Sequence, residues 1–299
     1  MSNSPWSDLD RPPLRVAALR RALVHPPWTA VEVVASTGST NADLAEAARA
    51  GAAAPGAVLV ADHQQQGRGR RERTWTAPPR SSLAVSVLLA PGEGANPVPP
   101  TRWSWLPLLT GLAVVDALVR TCGLDAQLKW PNDVLVEAAA GAPASRGWHK
   151  VCGVLAEVVS TPSGQAVVVG IGLNVSQRED ELPDGGPGGV AGGSLATLGS
   201  ATTDRDTVLR SVLRSLGARY EAWVGAGGDP RASEVGAAYR EASATIGESV
   251  AVHLPGDQTL TGVAEGVDDA GCLLLRPHDG TAVRALAAGD VVHVRPGTA

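Results

Sequence analysis

The sequence predicts a mixed α/β body followed by a small all-β domain, and three observations carry that reading. Apolar residues alternate between helical and strand periods from residue 31 to about 244. After Ala244 the pattern changes to five short β-rich segments separated by polar, glycine-bearing turns, as in a small β-barrel. The 299 residues are 44% hydrophobic and 18% charged, enough apolar material for a core and too much for a disordered chain. The expected divisions are an N-terminal extension at 1–30, a body at 31–244 and a β-domain at 245–299.

Residues 1–30 carry Pro5, Pro12, Pro13, Pro26 and Pro27 around one short helical stretch, Leu14 to Val24, too little for a winged-helix domain. VEVVAS from Val31 reads as a strand, and STNADLAEAARAG as a helix. Thr40 and Asp43 resemble a capping box there, and Gly51 stands where the helix should end. AVLVAD (57–62) is a buried strand running into the polar loop HQQQGRGRRERTW, and SLAVSVLLA (82–90) is another strand. Trp105, Leu108, Leu109, Leu112, Val115, Leu118 and Val119 follow helical spacing and predict a core helix. LKWPNDVLV, VCGVLAEVVS and AVVVGIGLNVS are β-rich, and the Gly- and Pro-laden 178–200 reads as a long mobile loop. Val208, Leu209, Val212, Leu213, Leu216, Tyr220 and Trp223 share one helix face, and Asp229-Pro230 is expected to open a further helix. SVAVHL, TLTGVAEGV, CLLLRP, TAVRALA and VVHVRP then supply the β-domain, with turns at PGDQ, DDAG and HDG.

Composition excludes several classes of function. The net charge of −5 disfavours a general polyanion-binding surface, so DNA is not an expected partner. Cys122, Cys152 and Cys272 lack CxxC spacing and the histidines form no HxxxH pair, which speaks against a disulfide framework and a structural zinc site. The polar N-terminus has no apolar signal segment and no window reads as a membrane span, so the expectation is a cytoplasmic protein without a membrane partner. Among 25 cationic residues 23 are arginine, and the two lysines, Lys129 and Lys150, stand out as positions where a planar guanidinium would not serve.

Four constellations can carry chemistry. Gln64-Gln65-Gln66-Gly67-Arg68-Gly69-Arg70-Arg71 follows a buried strand, so its glycines allow close backbone approach and its arginines can clamp phosphate or carboxylate oxygens. The alternative there is a solvated basic loop or a nucleic-acid contact. Lys129-Trp130-Pro131-Asn132-Asp133 holds an ammonium and a carboxylate in fixed relation at a strand end, the pairing needed to handle an anionic leaving group and a nucleophile that must lose a proton. Lys150 opens KVCGVLAE (150–157). Gly170 and Gly172 in GIGLN leave room for a ligand or for close sheet packing, with Asn174 beside them.

Taken in order, Ser39-Thr40-Asn41, Gln64 with GRGRR (67–71), KWPND (129–133), KVCGVLAE (150–157) and GIGLN (170–174), followed by a small β-domain, resemble the biotin–protein ligases. The resemblance covers residues 31–296 and implies a mixed-sheet catalytic domain related to class II aminoacyl-tRNA synthetases, with a C-terminal SH3-like barrel. It implies activation of biotin by Mg2+-ATP to biotinyl-5′-AMP, then transfer to one lysine of a biotin carboxyl carrier protein domain of an acyl-CoA carboxylase. By the family match Ser39, Thr40, Asn41, Gln64, Arg68, Gly69, Arg70 and Lys150 bind biotin. Arg68, Arg70, Lys129, Trp130, Asn132 and Asn174 bind ATP and the adenylate. Asp133, Lys129 and Arg68 carry the chemistry, with Asp133 orienting or deprotonating the incoming amine. Trp75 and Trp130 would give apolar cover, and no protein metal ligand is implied beyond Mg2+ arriving with ATP.

The chain departs from the family pattern at Arg71-Glu72, where Arg-Gly is usual, in the longer stretch between Val136 and Lys150, and in lacking a DNA-binding domain. A lipoate or octanoyl ligase of the same fold is the nearest alternative. A nucleic-acid-binding module built on GRGRR is the alternative from another class.

Overall fold

The structure is a computed structural model that describes residues 11–144, 147–185, 189–254, 258–287 and 289–293, with only the backbone of Glu72 and Asp290. The first ten residues, the Glu72 side chain, most of the expected PGDQ turn and residues 294–296 of the last expected strand lie outside the described residues.

In chain order the elements are α1 (Val16–Leu23), β1 (Ala30–Val34), α2 (Thr40–Arg49), β2 (Ala57–Ala61), β3 (Gly67–Arg68), β4 (Thr74–Trp75), β5 (Ser82–Leu89) and α3 (Trp105–Ala117). There follow β6 (Ala126–Lys129), β7 (Asp133–Glu137), β8 (Trp148–Thr161), β9 (Gly164–Asn174), α4 (Arg205–Gly225) and α5 (Val235–Glu241). The chain then runs through β10 (Ser249–His253), β11 (Thr259–Val267), β12 (Leu273–Pro277), β13 (Arg284–Leu286) and β14 (Asp290–His293). Seven strands form one sheet in the order β1-β2-β5-β9-β8-β7-β6, parallel only between β1 and β2. The last five form an antiparallel sheet ordered β13-β12-β11-β10-β14. The expected mixed α/β body and small β part are both present.

The large sheet has two unlike faces. Val58, Val60, Val85, Val87, Val167, Val169 and Ile171 pack on the long helices α3 and α4 in the main core. On the other face Leu59, Leu88, Val159 and Val168 pack under Leu44, Ala45 and Ala48 of α2. Truncating Leu44, Leu59, Leu88 or Ile171 to alanine costs about 2–5 kcal/mol. α2 covers only part of that face, and the rest is left for a cavity.

Several expectations need correction. Ser39, not Thr40, caps α2: its hydroxyl accepts from Ala42 N at 3.4 Å, while Asp43 accepts from Thr37. Gly51 does stop that helix, with φ 70°. Asp229 caps a turn through Arg231 N (2.8 Å) and Ala232 N (3.1 Å), but Glu234 at φ 60° breaks the spiral and α5 begins only at Val235. Val119 is 50% exposed, because the helix widens to a π-turn at Leu118–Cys122 and swings it off the buried stripe. The run Trp105–Cys122 is in fact long and apolar enough to span a bilayer, contrary to the sequence count, and 72% of it is buried inside the protein as a core helix. Among its described residues the segment 178–200 makes no long element, yet it is tied down: Lys150 N donates to Ala191 O (2.8 Å) and Gly193 N to Lys150 O (2.9 Å).

Candidate active site

The cavity occupies the uncovered part of the α2 face and measures about 1020 Å³. Its floor consists of parts of two successive rungs of the sheet, Ala84–Gly172–Gly153 and Gly170–Leu155, with Ser86 of the second rung covered by Thr40 and Asn41. Small residues are required here because bulky groups lie on them. A Cβ on Gly172 would come 2.7 Å from Trp75 Cε2, and one on Gly170 would overlap the Asn41 amide. The spacing in GIGLN therefore reflects close approach of the Trp75 and Asn41 side chains above the sheet, which differs from both ligand room and backbone packing, the two readings the sequence left open.

All thirteen residues singled out from the sequence line this one cavity: Ser39, Thr40, Asn41, Gln64, Arg68, Gly69, Arg70, Lys129, Trp130, Asn132, Asp133, Lys150 and Asn174. At the α2 end the lining is neutral and hydrogen-bonded. Gln64 Oε1 accepts from Thr40 N (2.9 Å) and lies 3.1 Å from Thr40 Oγ1. At the other end it is charged, with Arg68, Arg70, Arg71, Arg73, Lys129 and Lys150 facing Asp133, Asp180 and Asp184. β6 and β7 form a tight hairpin whose register sets Lys129 opposite Asp133, with Trp130-Pro131-Asn132 as the turn. The Asn132 amide donates to Val154 O (3.0 Å) and Val154 N to Asn132 O (2.9 Å), which locks the turn onto β8.

The ammonium in contact with Asp133 belongs to Lys150, not to Lys129 as the motif suggested: Lys150 Nζ lies 2.6 Å from Asp133 Oδ1 and 5.8 Å from the Trp75 ring centroid. The register explains this, since Asp133 and Gly153 are paired across β7 and β8 and a bulge at Val134/Leu135 lets Lys150 reach back. Arg70 extends to Asn132 Oδ1 (3.5 Å) and to Gly289 O (3.3 Å), joining the basic loop to the small sheet. Asn174 has both ends of its amide engaged, donating to Gly193 O (3.0 Å) and accepting from Gln177 (2.7 Å), so in this structure it holds the 177–193 segment. Burial pushes the Glu181 carboxyl up, but the Arg11 guanidinium and the Arg178 backbone N–H more than offset it, leaving its pKa below the usual value. Cys152 lies at full burial beneath the site, and loss of solvation holds its thiol far above the ordinary range. Among the described residues no group of three or more His, Cys, Asp or Glu could hold a metal ion.

Sequence reasoning gave no role to four contributors, one of them Glu157 at the end of the quoted KVCGVLAE. Ser86 and Glu157 bond the Asn41 amide from below; Asp180–Asp184 close one side; and His253, Val291 and Val292 bring in the small sheet. A signal existed for Ser86, a lone hydroxyl between valines in an otherwise apolar strand interior. The others come from loop and sheet placements with no local pattern.

The model of the biotin/lipoate A/B protein ligase family matches residues 33–174, and that of the biotin protein ligase C-terminal domain matches 245–294. The chain is 41% identical over 291 residues to the biotin–[acetyl-CoA-carboxylase] ligase of Mycobacterium tuberculosis, spanning 95% of this chain and 97% of that protein. It is 33% identical to the ligase of the same description from Paracoccus denitrificans, over 82% of this chain and 93% of that one. Its fold superposes on the Aquifex aeolicus biotin protein ligase solved with biotin and ATP, with a TM-score of 0.67 and 27% identity, covering 88% of this chain and 98% of that structure. With both of its parts matched and a relative aligned nearly end to end, the chain belongs to the biotin/lipoate A/B protein ligase family.

Proposed function

We propose that the protein joins biotin to a lysine of the biotin carboxyl carrier protein domain of an acyl-CoA carboxylase in two steps, through biotinyl-5′-AMP. The observation that carries the proposal is the two-ended cavity. A neutral donor–acceptor floor at Thr40 and Gln64 suits a ureido ring, and a cationic end at Arg68, Arg70, Lys129 and Lys150 suits a carboxylate meeting a triphosphate. An aliphatic lipoyl or octanoyl chain has no use for the polar floor. Mg2+ enters as part of the substrate Mg2+-ATP.

In the first step the biotin carboxylate attacks the α-phosphorus and pyrophosphate leaves. Two anions repel as they meet, and Lys150, Lys129 and Arg68 reduce that repulsion and stabilise the charge that gathers on the phosphoryl oxygens. Lys150 can serve while still beside Asp133, because its ammonium carries three protons for the ligand oxygens. In the second step a lysine amine attacks the acyl carbon, and the C–O bond to AMP breaks. An ordinary lysine, with pKa near 10.4, arrives protonated, so a carboxylate must orient it and take a proton. Asp133, beside the acyl position and held by Lys150, is that group in our reading. Trp75 and Trp130 give the ligands apolar cover, and Asn174 acts through the loop that it anchors. The small sheet, reached by Arg70, forms the wall past which the carrier domain approaches, and the reaction belongs to the cytoplasm, where ATP and the unmodified acceptor meet.

The test is to incubate the protein with Mg2+-ATP, a carrier domain and biotin, lipoate or octanoate in turn, and to weigh the acceptor. One biotinyl group on one lysine is expected. Acylation by lipoate or octanoate in preference to biotin would overturn the assignment.

A further inference from the structure

A chain of hydrogen bonds runs beneath the neutral end of the cavity and ends outside it. Asn41 Nδ2 lies 2.8 Å from Glu157 Oε2 and 3.3 Å from Leu155 O. A carboxylate and a carbonyl oxygen can only accept, so the nitrogen end of the Asn41 amide must face them. Asn41 Oδ1 therefore faces Ser86, whose hydroxyl lies 2.6 Å away and must donate its single proton to it. The Ser86 oxygen is also 2.8 Å from Thr40 Oγ1, and with its own proton committed it can only accept there. Thr40 accordingly spends its proton inward, on Ser86 or on Gln64 Oε1, and presents lone pairs to the cavity. Gln64 Oε1 is already taken by Thr40 N, so Gln64 presents its NH2. Ser86 and Glu157 do not line the cavity, whereas Thr40, Asn41 and Gln64 do.

We propose that Glu157 is a positioning residue for ligand selection: through Asn41 and Ser86 it fixes the proton direction as far as Thr40, so that the cavity floor offers an acceptor at Thr40 beside the donor that the Thr40 backbone N–H sets at Gln64. That polarity selects ligands carrying an N–H next to a C=O, as a cyclic urea does, and rejects carboxylic acids without them. Without Glu157 the amide and two hydroxyls would be oriented only by the long, neutral 3.3 Å bond to Leu155 O, and the opposite direction would compete. A carboxylate at the head of the chain permits one direction only, because it has no proton to give. The inference rests on the functional reading above, in that biotin is taken as the ligand.

Glu157→Gln keeps the shape and adds a donor, so the Asn41 amide can turn over at the cost only of its long bond to Leu155 O; Ser86 can then donate to Thr40, and one Thr40 lone pair is lost to the ligand. The experiment measures KM for biotin and for ATP, with melting temperature, in the wild-type protein, Glu157→Gln, Ser86→Ala and the double variant. The expected result is a rise of about tenfold in KM for biotin in each single variant, with KM for ATP within about twofold and little change in melting temperature. The double variant should be no more than about twofold worse than either single one, because cutting the chain at Ser86 already isolates Glu157. Multiplying effects in the double variant, or biotin and ATP constants rising together with a lowered melting temperature, would overturn the relay. If the wild-type protein turns over biotin and the variants match it, the relay alone is overturned. If the wild-type protein turns over no biotin, the functional reading fails and the relay fails with it.

Discussion

Lys150 sits where position matters more than charge: 2.6 Å from Asp133 Oδ1, over the Trp75 ring, on a strand that begins two residues earlier. A guanidinium there is longer and planar and would either displace Trp75 or leave Asp133. Lys150→Arg is therefore expected to cost about 2–4 kcal/mol of transition-state stabilisation in adenylate formation despite the retained charge, read as the loss in kcat/KM for pyrophosphate exchange. An unimpaired variant would show that any cation suffices. Gly172 makes a second residue-scale test. A methyl group 2.7 Å from Trp75 Cε2 must move the indole or bend β9, so Gly172→Ala should lower stability by about 1–3 kcal/mol and change the tryptophan emission. Both residues could be picked out from the sequence, one through the scarcity of lysine and one through a glycine inside an apolar strand. Which carboxylate Lys150 meets could not, because a bulge between β7 and β8 decides it and bulges leave no local pattern.

At the scale of elements, the strands were the most legible part. β2, β5 and β9 have long buried runs, and their bounds differ from the sequence reading by a residue or two. Helix ends were less so, because tertiary packing overrode local rules: α5 waits for Val235 and Tyr239 to reach the core, past the Asp-Pro signal that preceded it. The 178–200 segment was the least legible, since Arg11, far off in sequence, holds it through Glu181 at 2.5 Å. Arg11→Ala should cost about 1–3 kcal/mol, the worth of a buried charge-assisted bond, and should raise hydrogen exchange in 177–193. The pH dependence has a definite sign. The Glu181 pKa in the folded protein lies below its ordinary 4.5, so the folded state binds fewer protons than the unfolded state in that range. Its stabilisation is complete above pH 4.5 and fades as the pH falls through the folded value. Denaturant unfolding of wild-type protein and Arg11→Ala should therefore converge in acid and differ fully at neutral pH. A constant gap would refute the pairing.

For the whole molecule, the two sheets act together on one cavity. Trp105 Nε1 donates to Asp269 O (3.0 Å), Trp130 N to Thr245 Oγ1 (3.1 Å) and Arg70 to Gly289 O (3.3 Å), while Val250, Val252 and Leu275 join the main core. The sequence indicated a separate β part but gave no sign of how closely it meets the basic loop, because that contact is made by a backbone carbonyl. Arg70→Ala should loosen both partners, with faster hydrogen exchange at 66–75 and at 289–293, and should weaken ATP more than biotin. Exchange confined to the loop would place the small sheet outside the site.

If one cavity activates biotin by joining it to the adenylyl group of ATP, labelled pyrophosphate exchange reads that step without the acceptor. With purified protein, Mg2+-ATP and no acceptor, label should enter ATP when biotin is present and stay out when biotin is withheld or replaced by octanoate. Exchange that is independent of biotin, or none with biotin present, would contradict the account.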